Sequence, residues 1–374
     1  MGLRQVGTGR DAAGGLRPVT PTPAAQRIEW LDAARGLAIV LVVFGHVLRG
    51  LEAAGEAEGA AWVGAADLAL YSFHMPLFFF LAGLNVRAAL ARGARGFTGD
   101  KLWTVAWPYL LWSVVQGSAA ALAAGATNGE RAWSDLLRIG WAPIGQFWFL
   151  YALAVLHGVA VLTGGRTQWL LAAGAAAFAV SSLIAPDQGL WRGLLHGALF
   201  YAAGVAVGPG LKAWRWRRRG AAGGAALAAG VFAAGLMWLA GLAQGDARSP
   251  WLLPCALSGG AAVLLLSQAL KGRVLQGAAA LGRASMTIYV LHILAASGLR
   301  IALEQAGVRM PLPADLVLGT TAGVLAPLAC HVLLKRGDLL WPLGLARLPT
   351  FRACGQADGA GGRGRTDTPF GTGF

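Results

Sequence analysis

The sequence predicts an all-α fold, a polytopic bundle of transmembrane helices with about ten spans and both termini in the cytoplasm. Three observations lead to this prediction. Of the 374 residues, 56% are apolar and only 13% are charged, whereas about 25% of the residues in soluble proteins are charged. The mean hydropathy is +0.57. Apolar stretches of about 20 residues, the length that crosses a bilayer core, recur along the whole chain.

Ten stretches of the chain have the length and composition of a membrane span. In chain order, the predicted spans are 33–51, 66–86, 103–124, 145–163, 168–185, 192–209, 221–243, 251–270, 284–303 and 315–334.

The charged loops predict the orientation of these spans. With the N-terminus in the cytoplasm, four basic clusters fall on the cytoplasmic side, as the positive-inside rule requires. The first external loop carries Glu52, Glu56 and Glu58 instead. An odd number of spans would scramble this alternation, so the count of ten and the cytoplasmic termini support each other. The clusters are Arg87/Arg92/Arg95/Lys101, Lys212/Arg215/Arg217/Arg218/Arg219, Lys271/Arg273/Arg283 and Lys335/Arg336.

The two ends of the chain differ in composition from the membrane region at 27–352. Residues 1–26 are rich in Gly, Ala, Pro and Thr and lack the long apolar run of a cleavable signal peptide. We interpret them as a flexible cytoplasmic segment. Residues 353–374 are Gly-rich and are predicted to form a disordered cytoplasmic tail.

Charge and cysteine content exclude several classes of function. The net charge of +14 suggests a nucleic-acid partner, but membrane topology and attraction to anionic lipid explain it better. Cys255, Cys330 and Cys354 show neither metal-ligand spacing nor a disulfide framework. The lipid bilayer is therefore an expected partner and nucleic acid is not.

The stretch "RGLAIVLVVFGH" in the first span opens on Arg35 and closes on His46. Eleven residues at about 100° each bring the two side chains to within about 20° of the same helix face, roughly 16 Å apart along the axis. Arg35 then sits at the cytoplasmic mouth, and His46 lies past mid-membrane on the same face. Ionisable side chains inside a membrane usually face the bundle interior or a wet cavity. The alternative is a snorkelling arginine and a structural histidine.

All six histidines of the chain fall inside predicted spans: His46, His74, His157, His196, His292 and His331. No pair has His-x3-His spacing, and the spans contain almost no carboxylate, so a metal site is not expected. We interpret His157 and His331 as packing residues, because their surroundings are apolar and belong to no motif.

Five blocks of sequence resemble the membrane-bound acyltransferase 3 family, the bacterial integral-membrane O-acyltransferases of surface sugars and related acceptors. The first span of that family has an Arg, ten residues and then a His, which here are Arg35 and His46. Each block alone is weak, but the five occur in family order over residues 28–292. The blocks are "RIEWLDAARGLAIVLVVFGH", "YSFHMPLFFFLAG", "FWFLYAL", "LFYAAGVAVG" and "LGRASMTIYVLH".

The resemblance implies a multi-pass protein of the cell inner membrane. It also implies acyl-CoA, most commonly acetyl-CoA, as a co-substrate that enters from the cytoplasm. The acceptor would be a hydroxyl of a carbohydrate or lipid-linked glycan on the outer side. No tightly bound cofactor is expected. The acceptor could equally be a small metabolite, and the acyl group could be longer than acetyl.

Helix geometry agrees with the donor that the resemblance implies. Arg35 could hold a CoA phosphate, since a guanidinium matches phosphate oxygens bidentately. The thioester would then lie near His46, which could act as general base or form an acyl-imidazole. The sequence does not separate these two mechanisms. Asp32 either orients Arg35 or is an acidic residue of the first helical turn.

The remaining matched positions have weaker roles. Arg87 either adds to the phosphate site or is a topology charge. His74 precedes Pro76, which opens backbone polar groups inside the bundle, and is a second catalytic candidate on the acceptor side. Trp148 either stacks on a sugar or belongs to the interfacial belt. Three more substrate-binding candidates form one helix stripe, whose alternative role is interhelical hydrogen bonding: Ser285, Tyr289 and His292.

A proton-coupled permease is the competing hypothesis. Ten spans with buried His and Arg would suit one, but the spans lack an Asp/Glu relay and the sequence shows no inverted repeat. A scaffold without activity is a third possibility, against which the intact Arg35 and His46 argue.

Overall fold

The computed structural model describes residues 28–122, 133–184 and 188–348, so the terminal segments predicted at 1–26 and 353–374 lie outside the described residues. The described part is helical and contains no strand. Its α-helices are α1 (Glu29–Ala53), α2 (Trp62–Gly83), α3 (Val86–Leu90), α4 (Ala94–Lys101), α5 (Trp107–Leu122), α6 (Trp148–Leu162), α7 (Thr167–Ser181), α8 (Gly189–Ala213), α9 (Arg218–Ala243), α10 (Leu253–Ala269), α11 (Gly272–Arg283), α12 (Ser285–Gln305) and α13 (Leu312–Arg336).

The all-α polytopic bundle is confirmed. Every predicted span coincides with a helix, and in the described ranges eight helical segments are long and apolar enough to cross a membrane. The other two predicted spans correspond to α5 and α7. Helix α7 is apolar but has only 15 residues, and α5 is a 16-residue helix that continues from a π-helical turn at Leu102–Ala106.

Helix α1 is the centre of the bundle. It packs against α2, α10, α11, α12 and α13, and many of its apolar side chains are buried. Helix α9 is peripheral, and its Met237 and Trp238 are more than four-fifths exposed. Apolar side chains on such a surface are expected where the solvent is lipid rather than water.

Two pairs of glycines allow helices to approach closely. A Cβ atom on Gly36 would lie 1.9 Å from the carbonyl oxygen of Ala278 in α11, and one on Gly282 would lie 1.7 Å from that of Asp32 in α1. Between α2 and α8, Gly83 and Gly204 play the same role. Small residues bring helix backbones together in membranes, where packing rather than the hydrophobic effect drives association. Helix α11, which the sequence analysis did not separate from its neighbours, is thereby locked against the first turns of α1.

Candidate active site

One face of α1 runs through the whole candidate site. Arg35, Ile39, Val42, His46 and Arg49 follow one another at intervals of four or three residues, the spacing of a single helix face. Arg35, Ile39 and Val42 line one cavity, and Arg49 lines another. His46 lies between them on the helix. The predicted shared face of Arg35 and His46 is therefore part of a longer stripe that connects two cavities.

The first cavity, which we call the Arg35 cavity, has a volume of about 730 Å³. Five basic side chains line it, and Asp32 is the one acidic residue among its described lining residues. Asp32 lies 3.1 Å from the Arg35 guanidinium (Oδ1 to Nη1), so the structure shows the pair that would orient Arg35. Such an excess of positive charge in a confined space attracts a polyanion. The basic residues are Arg35, Arg92, Lys101, Lys212 and Arg347.

Neighbouring groups hold these cations in place. Asp100 lies 3.2 Å from Lys101 Nζ and 3.0 Å from Arg347 Nε. Burial lowers the pKa of Lys101, and Asp100 opposes that effect. Lys212 donates a hydrogen bond to Asn85 Oδ1 at 2.5 Å. The sequence analysis treated Lys101 and Lys212 as topology charges, because only the fold brings them to the same cavity as Arg35.

The second cavity, which we call the Arg248 cavity, has a volume of about 320 Å³. It lies at the opposite end of α1, beside Arg49. Residues of α2, α6 and α8 and of the loop between α9 and α10 form its wall. Its aromatic and charged lining residues are Arg49, Asp67, Tyr71, Phe79, Trp148, His196, Asp246 and Arg248.

Trp148, a predicted substrate-binding residue, lines the Arg248 cavity. Its ring lies 5.3 Å from the Arg248 guanidinium carbon, a cation–π contact. The indole packs over Gly193, where a Cβ atom would lie 2.7 Å from the ring. The absence of a side chain on Gly193 therefore makes room for Trp148. The indole forms part of the cavity wall.

Three histidines from three helices meet between the cavities. The ring centroids of His46 and His292 are 5.1 Å apart. Tyr71 connects the third histidine, with centroids 6.2 Å from His46 and 4.5 Å from His74. His74 and His292 are fully buried. The six histidines thus divide into a cluster of three and three others.

Backbone carbonyls fix the tautomers of two members of the cluster. His74 Nδ1 lies 2.5 Å from the Leu70 carbonyl, and His292 Nδ1 lies 2.8 Å from the Tyr289 carbonyl. A carbonyl only accepts hydrogen bonds, so both Nδ1 atoms carry the proton. The two Nε2 atoms, each with a free lone pair, are buried and have no hydrogen-bond partner in the described part of the chain. Each is able to accept a proton or a hydrogen bond.

Residues beside the cluster line both cavities. Met75 lines the two of them. Tyr71 lines the Arg248 cavity, while Ser285 and Tyr289 line the Arg35 cavity. The Tyr289 hydroxyl donates a hydrogen bond to the carbonyl of Gln146, which connects α12 to the turn before α6. The arrangement can bring a polyanion from one end and a second molecule from the other to the same histidines.

The structure separates some predicted site residues from this arrangement. Arg87 is exposed and is absent from the described lining of the Arg35 cavity. His157 does line that cavity, and its Nδ1 is 2.8 Å from the Tyr201 hydroxyl. His331 lies elsewhere, 2.8 Å from the Thr287 hydroxyl. In the described ranges, no group of three His, Cys, Asp or Glu residues is arranged to hold a metal ion.

Sequence reasoning missed several lining residues. Arg49 had a signal, since it continues the stripe of Arg35 and His46 by one more turn. Tyr71 had a weaker one, three residues before His74. Asp67 and Arg248 had none, because their role depends on which helices lie side by side.

Comparison with known proteins places the chain in a family. Residues 28–334 match a family described as "Acyltransferase domain", acyltransferase 3. That stretch reaches from the start of α1 almost to the end of α13.

The chain belongs to the acyltransferase 3 family.

Two relatives are similar over part of the chain. A nodulation protein NolL of Mesorhizobium japonicum is 28% identical over 159 residues, which is 41% of each chain. A nodulation protein NolL of Sinorhizobium fredii is 28% identical over 153 residues, 40% of this chain and 41% of the relative. The chain thus spans about two fifths of the length of the curated relatives it matches. No solved structure matches it.

Within the acyltransferase 3 match lie α1 with Arg35 and His46, the three clustered histidines and all the described lining of the Arg248 cavity. Arg347, which contributes to the Arg35 cavity, lies beyond it.

Proposed function

We propose that this acyltransferase 3 protein is a membrane-embedded O-acyltransferase. It transfers an acyl group, acetyl in the simplest case, from cytoplasmic acyl-CoA to a hydroxyl of a sugar or other cell-envelope acceptor. We place it in the cell inner membrane. The observation that carries the proposal is the stripe of α1, which joins a strongly basic cavity to a second cavity with a histidine cluster between them.

The Arg35 cavity suits acyl-CoA as donor. Five basic side chains against one carboxylate match the phosphates of CoA, and Arg35 can bind one of them bidentately. The volume of about 730 Å³ lies in the range of cofactor and small-molecule sites. Because Arg35 and His46 are roughly 16 Å apart along the helix, an extended pantetheine arm anchored at Arg35 reaches the histidines with its thioester.

His46 acts as the general base in this proposal. The acceptor hydroxyl gives its proton to the imidazole while its oxygen attacks the thioester carbonyl. The new C–O bond forms, the C–S bond breaks, and the CoA thiolate takes the proton back from the imidazolium. His46 lies on α1 between the residues that line the two cavities, and its ring makes no hydrogen bond to another described residue that would compete with the substrates. The ring of His292 lies beside that of His46, with centroids 5.1 Å apart. Its Nε2, which has no hydrogen-bond partner among the described residues, can accept a proton or a hydrogen bond.

The test compares acyl transfer with transport. The full chain, purified into lipid nanodiscs, is supplied with acetyl-CoA and an envelope glycan extract, and the free thiol of CoA is measured with the mass of the glycans. We expect thiol release that depends on the extract and an acetyl increment on a glycan. A solute that crosses proteoliposomes unchanged, without thiol release, would instead identify a permease.

A further inference from the structure

The Arg248 cavity contains more guanidinium groups than its carboxylates neutralise. Asp67 is used by Arg49, with Nε to Oδ1 at 2.6 Å and Nη2 to Oδ2 at 2.8 Å. Asp246 accepts a hydrogen bond through Oδ2 from the buried Arg192. Its Oδ1 accepts another, at 3.0 Å, from the backbone N–H of Arg248. Both carboxylates are therefore engaged elsewhere.

The guanidinium of Arg248 has no ion pair with any carboxylate that the structure describes. It is half-buried and stacks on Trp148. Burial lowers the pKa of Arg248, and the nearby Arg192 and Arg49 act in the same direction. An arginine nevertheless stays charged at neutral pH. A charge withdrawn from water without a partner is costly, so this position favours an incoming anion.

We propose that the Arg248 cavity binds an acceptor that carries one negative charge, a carboxylate or a phosphodiester, through the guanidinium of Arg248. This inference rests on the proposed function and specifies its acceptor class. The anionic group binds Arg248 beside Trp148, and an acceptor hydroxyl reaches His46 past Tyr71. A neutral sugar would leave Arg248 unneutralised, and a cationic acceptor would meet the guanidinium groups of Arg49 and Arg248.

The two cavities differ in the charge that they can bind. The Arg35 cavity has four more basic than acidic lining residues, which suits a polyanion. In the Arg248 cavity Asp67 pairs with Arg49, and Asp246 pairs with Arg192, which is buried outside the lining; this leaves the guanidinium of Arg248 for the ligand. A volume of about 320 Å³ at this end holds a ligand of about one sugar residue with its charged group.

Binding of small probes to the full chain in nanodiscs tests the proposal. The probes are methyl glucuronoside for a carboxylate, the methyl phosphodiester of glucose 1-phosphate for a phosphodiester and methyl glucoside as the neutral match, all at equal ionic strength. Bound ligand raises the thermal unfolding midpoint by mass action. We expect a shift with one or both charged probes and none with the neutral one. The stronger of the charged probes identifies the carboxylate or the phosphodiester as the natural group.

Variants assign the effect to Arg248. Arg248→Gln should weaken binding of the charged probe about ten- to a hundred-fold, the usual weight of a charge-assisted hydrogen bond. Arg248→Lys should retain part of it. Arg309→Gln is the matched control, since Arg309 is exposed in a loop at the same end of the bundle. His46→Ala should bind the charged probe normally and transfer acyl groups about 10²–10⁴-fold more slowly, so failure of acyl transfer and failure of this inference are distinguishable.

Two results would overturn the proposal. One comes from the binding experiment: neutral and charged probes bind equally, or the charged probes bind wild type and Arg248→Gln equally. Absence of binding by any probe would also contradict the proposal. The other comes from the acylated glycan isolated from cells that produce the protein. A product with neither carboxylate nor phosphodiester would exclude the proposed anionic acceptor even if the acyltransferase activity stands.

Discussion

The Arg35 cavity and the Arg248 cavity differ in how their charges are used. In the first, five basic residues and Asp32 line the cavity, and Asp100 pairs with two of the five. In the second, the carboxylates of Asp67 and Asp246 hold two arginines in place, and one guanidinium is left for a ligand. The first arrangement binds a highly charged molecule strongly, and the second orients a less charged one. The difference suits a common donor at one end and a specific acceptor at the other.

His46 belongs to neither cavity, and its substitution should have the largest effect. His46→Ala is expected to lower kcat by about 10²–10⁴, the usual contribution of a general base, while acyl-CoA binding stays near normal. Single-turnover kinetics and donor titration on the purified variant measure both quantities. His331→Ala is the control, a histidine of α13 that contacts Thr287 and lines neither cavity. Normal turnover by a folded His46→Ala protein would remove the residue from the mechanism.

Substitution of Arg35 should weaken only the binding of the proposed acyl-CoA donor. Arg35→Ala is expected to raise the acyl-CoA KM about ten- to a hundred-fold, because one charge-assisted contact contributes roughly 1.5–3 kcal/mol. Arg35→Lys should recover part of the loss, since a point charge replaces a bidentate fork.

Arg87→Ala serves as the comparison, because Arg87 is basic, close in sequence to the cavity residues and exposed. An Arg35→Ala protein with a normal KM and a reduced kcat would contradict the phosphate role. Lys101, Lys212 and Arg92 would then become the candidates for the donor site.

Substitution of Gly36 and of Gly193 should each distort one of the two cavities. Gly36→Ala forces a Cβ atom against the Ala278 carbonyl and should shift α1 beside Arg35. We expect about 1–3 kcal/mol of destabilisation from such overpacking, with a higher donor KM. Gly193→Ala should displace Trp148 instead and weaken only binding at the Arg248 cavity. Gly230→Ala in α9 is the control, because nothing lies within 4 Å of its added Cβ atom. Thermal unfolding and the two binding assays separate the outcomes.

Added salt should give the smallest difference in binding between the two cavities. The Arg35 cavity has the larger excess of charge, and added ions screen it. Between about 0.05 and 0.5 M salt, where the Debye length falls from roughly 14 to 4 Å, we expect the acyl-CoA KM to rise several-fold. Binding of a monoanionic probe at the Arg248 cavity should weaken less. An equal salt dependence at the two ends would contradict the assignment of a polyanion to one and a monoanion to the other.

The sequence by itself determined the helical bundle and the face shared by Arg35 and His46. Both follow from local properties, namely the length of apolar stretches and the rotation of an α-helix per residue. The same reasoning identified Asp32 beside Arg35, and the structure shows this contact at 3.1 Å. The family blocks added His74, Trp148 and His292, which the fold brings to the cluster or to the Arg248 cavity.

Tertiary structure alone decided which distant residues meet. His46, His74 and His292 come from three helices, and their positions in the sequence do not show that their rings meet. Lys212, which the sequence analysis treated as a topology charge, lines the Arg35 cavity, while Arg87, which it offered for the phosphate site, is exposed. Such choices depend on how closely the helices pack, and glycines such as Gly36 and Gly204 set that distance through backbone contacts with other parts of the chain.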